Sequence, residues 1–361
     1  MSTASDMPSS APIANVIGLG LIGGSVALAL GARGWQVHGT DISEAVVARA
    51  LEERIIHSAA IQRSASLTIV AVPVDVANDA VQLALDLTDG PVTDVGSVKA
   101  PIAASHTSGR FVAGHPMAGS ELEGLDGADA AMFESAIWVL TPTVATDDAA
   151  LSSVAGVIRS LGAEVVALDP DAHDRLVAMV SHVPHLTAAS LMGLAAARSE
   201  EHAALLRLAA GGFRDMTRIA SGSPGIWIDI CRQNRDAICA ALVDLERSLA
   251  DVRQIIERGD DHALLERLTA ARDARSNLPS RVTDPSSLAE VRIRIPDRTG
   301  AAAEVFTLAA ELGVNIANFE VVHSAEGGRG VAVVLVDASA VDLYRGGLVA
   351  RGFRPSVSLL A

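Results

Sequence analysis

The sequence predicts three modules in series: an α/β domain on a mostly parallel sheet, an all-helical domain and a small α+β domain. Three observations carry this. From Ile13 to about Asp169, short β-branched apolar runs alternate with Ala- and Leu-rich helical stretches, the pattern of strands covered on both faces. From about Pro170 to Leu278 the strand pattern stops, and segments such as DAICAALVDLERSLADVRQIIERG set apolar residues at helical spacing against charges. Beyond the Pro-, Ser- and Asp-rich stretch SNLPSRVTDPSS, residues 288–361 read as βαββαβ, a ferredoxin-like order.

Taken in order, residues 1–12 (MSTASDMPSSAP) lack a hydrophobic stripe and are expected to be a disordered tail. Residues 13–32, IANVIGLGLIGGSVALALGA, are uncharged and about long enough to span a bilayer. Gly18, Gly20, Gly23, Gly24 and Gly31 interrupt that run, and no Lys or Arg precedes it, so a buried strand, a tight turn and a buried helix explain it better. ANVIGLG, WQVHGTD, LTIVAVP, PVTDVG, RFVAGH, AIWVLTP and AEVVALD are the predicted strands of a domain spanning residues 13–169. The helical domain covers 170–278, a linker 279–287, and the last module 288–361.

With 361 residues and 50% hydrophobic content, the chain has ample core, which excludes a disordered protein or a small disulfide scaffold. Aromatic residues are only 3%, which argues against base stacking on nucleic acid, and a net charge of -15 repels phosphate backbones and anionic membranes. The expected partners are small molecules or other proteins, with no nucleic acid and no membrane. Cys231 and Cys239 lie eight apart on one predicted helix, too far along its axis for a bond to each other, so a reduced cytoplasmic chain fits best. All basic residues but one are Arg; the exception is Lys99, read either as a chance surface survivor or as a site needing a compact charge.

Gly18-Leu19-Gly20-Leu21-Ile22-Gly23 follows a predicted strand and opens a helix, the context that gives GxGxxG its meaning. The glycines allow the tight turn, the approach of a pyrophosphate to backbone N–H groups, and close helix–strand packing. The second strand ends at Asp41, whose carboxylate would accept from ribose hydroxyls and repel a 2′-phosphate, favouring NAD; the alternative is an Asp that caps the helix beginning at Ser43. This is a Rossmann-type site, with Leu21 and Ile22 on the turn and Val72 and Pro73 after the third strand.

Ligands of such a sheet sit beyond the carboxyl ends of its strands, where Ser97, Lys99 and His115 also fall. A His beside a nicotinamide is suited to take the proton of an alcohol as hydride leaves its carbon, with Ser97 to orient the imidazole or the hydroxyl. A second constellation lies in the helical domain: Ser181-His182-Val183-Pro184-His185, then Gly211 to Arg218, then Trp227. Pro184 interrupts a helix start there, and no further ligand follows at metal spacing, so no metal is expected. Arg218 suits bidentate capture of a carboxylate, or is simply ion-paired; Trp227 is either core or pocket.

Together GLGLIGGS, AVPV, DVGSVK, GHPMAGSE, LTPT, SHVPH, GGFRDMTRIA and the Trp227 segment resemble the prephenate/arogenate dehydrogenase family over about residues 13–275. IPDRTG and LGVNIAN make the last module look like an ACT domain. The resemblance implies oxidative decarboxylation of a cyclohexadienyl substrate with NAD, in tyrosine biosynthesis. It makes His115 the acceptor of the ring hydroxyl's proton and Ser97 its neighbour, and the helical domain the unit of a homodimer. Arg218 would bind a substrate carboxylate and His185, beside His182, the side-chain end; Glu121, Gly211 and Trp227 would line the pocket. Ala210 departs from a common GGGF form. The resemblance leaves prephenate against arogenate open. It also implies an aromatic amino-acid effector at Asp297-Arg298-Thr299-Gly300 and Asn315–Asn318, against which stands a purely structural module. A β-hydroxyacid dehydrogenase would need a Lys in the second domain, and Lys99 precedes it. A non-enzymatic NAD- or amino-acid-responsive regulator would leave His115 and Ser97 without purpose.

Overall fold

The computed structural model describes residues 11–120, 122–199, 205–277, 288–296, 298, 300–323 and 329–359. Residues 1–10 of the expected tail, the whole of the expected linker over 279–287 and Glu121 lie outside them. Contacts divide the chain into two compact units: the residues up to Gly193 together with Thr217–Leu249, and Leu194–Met216 together with the residues from Ala250 onward. The helical segment expected to be one domain is therefore shared between the two.

In the first unit the strands are β1 (Ile13–Ile17), β2 (Gln36–Thr40), β3 (Leu67–Val70), β4 (Val92–Asp94), β5 (Phe111–Pro116), β6 (Ile137–Thr141) and β7 (Glu164–Ala167). They form one sheet in the order β2-β1-β3-β4-β5-β6-β7, parallel throughout except where β6 runs antiparallel to β5. Helices α1 (Leu21–Gly31), α2 (Glu44–Glu52), α3 (Ala77–Leu87), α4 (Ala100–Ser105) and α5 (Asp148–Ser160) connect them. β1 (IANVI) and β3 (LTIV) are almost fully buried, and the one polar residue of each is satisfied inside the sheet, Asn15 Nδ2 donating to Thr68 Oγ1 at 3.1 Å. The chain turns at Gly18 (φ +92°), where a Cβ would collide with the Ala71 carbonyl, and at Gly23, where it would collide with Gly18 O. The apolar run at the start is thus β1, this turn and the buried α1.

The chain continues through α6 (Pro170–Val177), a π-helical turn over Ala178–His182 and α7 (Val183–Ser199). Pro184 does not interrupt the helix. The Val183 N–H reaches back to Ala178 O, and this wider turn makes room for the ring one residue later. By length and composition alone Pro170–Arg198 is long and apolar enough to cross a bilayer; it carries the buried His173, Asp174 and His182. After α8 (Gly211–Thr217) come α9 (Pro224–Gln233), α10 (Arg235–Arg258) and α11 (Asp261–Ser276). Asn234 separates α9 from α10, so Cys231 and Cys239 sit on different helices rather than one; both are free.

In the second unit β8 (Leu288–Pro296), α12 (Ala301–Glu311), β9 (Ile316–His323), β10 (Arg329–Asp337), α13 (Val341–Ala350) and β11 (Pro355–Leu359) give the expected βαββαβ order. The antiparallel sheet runs β11-β8-β10-β9, and Val291, Ile293, Val305, Leu308, Val334, Tyr344 and Leu348 form its core.

Candidate active site

The site is built where β1, β3, β4 and β5 end. Asp41, just past β2, turns its carboxylate onto the glycine turn: Oδ2 accepts from Leu19 N (2.7 Å) and Oδ1 from Ser43 N (2.9 Å). Ser43, not Asp41, caps α2. α1 starts at Gly20 without a side-chain cap, leaving its first amides for a ligand. A Cβ on Gly20 would meet nothing within 4 Å. The turn is therefore packed shut behind Gly18 and Gly23 and open in front of Gly20, which fits a dinucleotide pyrophosphate. Val72 flanks the turn, its Cγ1 3.1 Å from where a Cβ on Gly18 would stand, and Pro73 follows it.

His115 closes β5. Its Nδ1 lies 2.9 Å from His173 Nε2, and His173 Nδ1 lies 2.8 Å from Asp174 Oδ1. Both rings stand edge to face, with centroids 5.1 Å apart. Burial, helped by His173, Lys99 and His182, pushes the His115 pKa well below the ordinary histidine value. The imidazole is therefore neutral near neutral pH, as a base must be. Ser97 lies half-buried in the turn after β4; the group that meets His115 Nδ1 is His173, not Ser97.

Lys99 is not a surface survivor. It is fully buried, its Nζ bonded to Asp94 Oδ2 and to Gly114 O (2.9 Å). Asp94 also accepts from Gly96 N (2.9 Å) and Gly114 N (3.1 Å). One buried ion pair thus fixes the residues immediately before Ser97 and His115. Burial pulls the Lys99 ammonium down, and Asp94, joined by Asp174, opposes this. Asp174 joins the same network, Oδ1 accepting from Lys99 N (2.7 Å) and Oδ2 from Ala100 N (2.8 Å).

A cavity of about 700 Å³ runs from Leu21, the first residue of α1, past Gly119, Ser120, Glu123 and Gly124 to His185, Arg218 and Trp227. Its far wall is an aromatic stack: the His185 and Trp227 rings are 3.6 Å apart and inclined by only 12°. Burial lowers the His185 pKa, so this ring too is neutral, and Arg218 supplies the positive charge. His182 was expected in the pocket but is 1% exposed, edge-on behind Trp227, with Nδ1 3.2 Å from Asn234 Nδ2. It supports the wall and does not line it; burial drives its pKa to about 4. Gly211 opens α8, exposed, and belongs to the second unit.

His173, Asp174, Asp94 and Glu123 were not singled out from sequence. The one available signal was LDPDAHD directly after β7, where two acids and a His start a helix.

A glycine turn open to a pyrophosphate, an acid after β2 and a half-buried neutral histidine at a strand end define the class of nicotinamide-dependent dehydrogenases. A family model described as prephenate dehydrogenase, nucleotide-binding domain, matches residues 26–167, and one described as prephenate dehydrogenase, dimerization domain, matches 169–270. The chain is 32% identical over 335 residues to prephenate dehydrogenase of Bacillus subtilis (strain 168), 87% of this chain and 89% of that one. Among solved structures, prephenate dehydrogenase from A. aeolicus in complex with hydroxyphenyl propionate and NAD+ is similar at a TM-score of 0.70 and 29% identity, over 74% of this chain and 99% of that chain. Arogenate dehydrogenase from Synechocystis is similar at 0.63 and 30% identity, over 73% and 99%. The chain belongs to the prephenate dehydrogenase family and is an NAD-dependent oxidoreductase. The first match begins at residue 26, inside α1, so the roles of Gly18 to Gly23 rest on geometry.

Proposed function

We propose that the protein catalyses oxidative decarboxylation of prephenate to 4-hydroxyphenylpyruvate, with NAD as acceptor, in tyrosine biosynthesis. The observation that carries this is the single cavity joining the start of α1 to Arg218, His185 and Trp227. NAD, when bound, supplies the hydride acceptor for the ring carbon that bears the hydroxyl. His115 takes the hydroxyl proton on Nε2, held in place by the buried network behind it. The ring carboxylate leaves as carbon dioxide, its bonding pair completes the aromatic ring, and the proton returns to the ring oxygen. Ser97 lies in the turn beside this centre and hydrogen-bonds the substrate. Arg218 pairs with a substrate carboxylate, and neutral His185, stacked on Trp227, donates to the keto-acid side chain. Gly18, Gly20, Leu21, Ile22 and Gly23 hold the pyrophosphate; Asp41 takes the ribose hydroxyls with the lone pairs that Leu19 N and Ser43 N leave free.

One observation favours a second reading. Glu123 lines the same cavity, a carboxylate that the ammonium of arogenate would meet. Reduced-nicotinamide formation with prephenate and arogenate, each with NAD and NADP, decides both questions. Turnover of prephenate with NAD is expected; preference for arogenate transfers the mechanism to the amino substrate, and no turnover with either removes the assignment.

The protein acts as a cytoplasmic homodimer, supported by exposed Leu249, Ile256, Leu265 and Leu268 on α10 and α11, within or next to the segment that matches the dimerization model. The last module is ACT-like and takes an aromatic amino acid. The βαββαβ order, Gly300 in the left-handed conformation at the start of α12 and an exposed Asn318 support this; Asp297 and Thr299 lie outside the described residues. Tyrosine should alter the activity of the full chain and not that of a chain ending near Ser287; a full chain indifferent to tyrosine, phenylalanine and tryptophan ends the regulatory reading.

A further inference from the structure

We propose that His173, anchored by Asp174, is a positioning residue that fixes His115 in the tautomer whose Nε2 is free to act as base. The proposal rests on the reading of His115 as that base. A neutral imidazole has one N–H donor and one acceptor nitrogen, so a chain of such rings can be ordered in one of two directions. Here Asp174 sets the direction. Its Oδ1 accepts from Lys99 N at 2.7 Å and its Oδ2 from Ala100 N at 2.8 Å, so both oxygens already act as acceptors. An ionised carboxylate only accepts, so His173 must carry its proton on Nδ1, 2.8 Å from Asp174 Oδ1. His173 Nε2 is then a lone pair, and His115 Nδ1, 2.9 Å away, must carry the proton directed at it. This leaves His115 Nε2 unprotonated.

Burial makes the ordering strict. His173 is 1% exposed and Asp174 5%, so neither can exchange its partner for water. Asp174 is held from a third side, its main-chain oxygen accepting from Asn234 Nδ2 at 2.8 Å. The same chain also meets a charge problem. Lys99, His173 and His182 all face His115 and oppose its protonated form, as does burial. Through the His173 ring the positive charge that His115 gains is polarised toward Asp174, the one carboxylate at the far end of these bonds. In serine-protease triads a carboxylate holds the tautomer of a histidine in the same way, and the wrong tautomer there costs about 10⁴ in kcat.

Two measurements test this. In protein labelled with nitrogen-15 at histidine, the His115 signals are those that vanish in His115→Asn. They should show a protonated Nδ1 and an unprotonated Nε2 at neutral pH; the reverse pattern in the folded wild-type protein overturns the proposal. This arm uses no substrate, so it fails or succeeds independently of the prephenate assignment. In the second arm, His173→Leu, which offers no acceptor, should lower kcat about 100-fold, with KM for substrate and NAD held within about threefold. His173→Gln presents an amide oxygen to His115 Nδ1 and should recover about tenfold of that loss or more. Equal loss in both variants, or loss expressed in KM, overturns the proposal. Should His173→Leu fail to fold, His173→Gln must show the same protonated Nδ1 as wild type, and a protonated Nε2 in it counts against the proposal.

Discussion

His115 and Arg218 lie in the same compact unit and are held in opposite ways. Behind His115 stand His173, Asp174, Lys99 and Asp94, all at most 5% exposed and each with a protein partner. Arg218 stands exposed at a short 3₁₀ turn, on a cavity wall made chiefly of loop residues and an aromatic stack. The difference separates two tasks. Proton transfer needs an atom fixed to a fraction of an ångström, and buried satisfied networks supply such rigidity. Capture of a carboxylate needs charge and reach, which an exposed guanidinium provides without a large desolvation cost.

The sharpest way to break this comparison is to attack the buried side. Lys99→Met keeps the bulk and deletes the charge, leaving Asp94 buried with only backbone donors; a loss of about 3–5 kcal/mol in unfolding free energy is expected. Denaturant titration measures it, and a change under about 1 kcal/mol would show that the pair is not the clamp described. Next in size is His115→Asn, which should lower kcat about 10²-fold or more while NAD still binds. Near-normal turnover would take His115 out of the reaction.

Both residues had shown themselves in the sequence, and the reason they did is instructive. Continuous apolar runs ending in glycine or a polar residue mark the carboxyl ends of buried parallel strands, so β1, β3, β4 and β5 pointed at Gly18, Pro73, Ser97 and His115 without any contact information. Lys99 stood out by composition alone, yet its burial depends on Asp94 and on Gly114, fifteen residues ahead. His173 and Asp174 stayed hidden because LDPDAHDR looks like an ordinary solvated helix start, with Asp169 as cap and Pro170 in the first turn. Their partners lie 58 and 75 residues away, a separation no local pattern encodes. Pro184 misled because the turn before it is π-helical, with Val183 N–H reaching back to Ala178 O, so the ring enters a continuous helix instead of breaking one.

The buried side should also be the acid-sensitive one. His182 has its pKa lowered to about 4 by burial, against 6.5 for the ordinary histidine. Below 6.5 the unfolded chain binds the proton more readily than the folded one, so this stabilising contribution is complete above that pH. It is lost as pH falls from 6.5 toward 4, by at most about 3 kcal/mol. Thermal unfolding followed across this range, with His182→Gln beside wild type, checks it: the variant should show a shallower decline, and parallel curves would remove His182 as the sensitive group. Activity has its own acid limit, because only neutral His115 can take a proton. With that group pushed well below 6.5, kcat should stay level through pH 6.5 and fall only at lower pH. A midpoint above 6.5 would contradict the burial described.

The smallest effect belongs to the open wall and is the most specific. Arg218→Ala removes a charge-assisted bond to a carboxylate but leaves the buried network untouched, so KM for the substrate should rise about tenfold while kcat changes little. KM for NAD and the melting temperature should not move. This pattern is the mirror image of the one expected at His173, where kcat falls and KM holds. If Arg218→Ala lowered kcat and left KM alone, the guanidinium would be acting on the transition state rather than on the bound substrate. The division between a rigid chemical region around His115 and a pliable binding wall around Arg218 would then have to be redrawn.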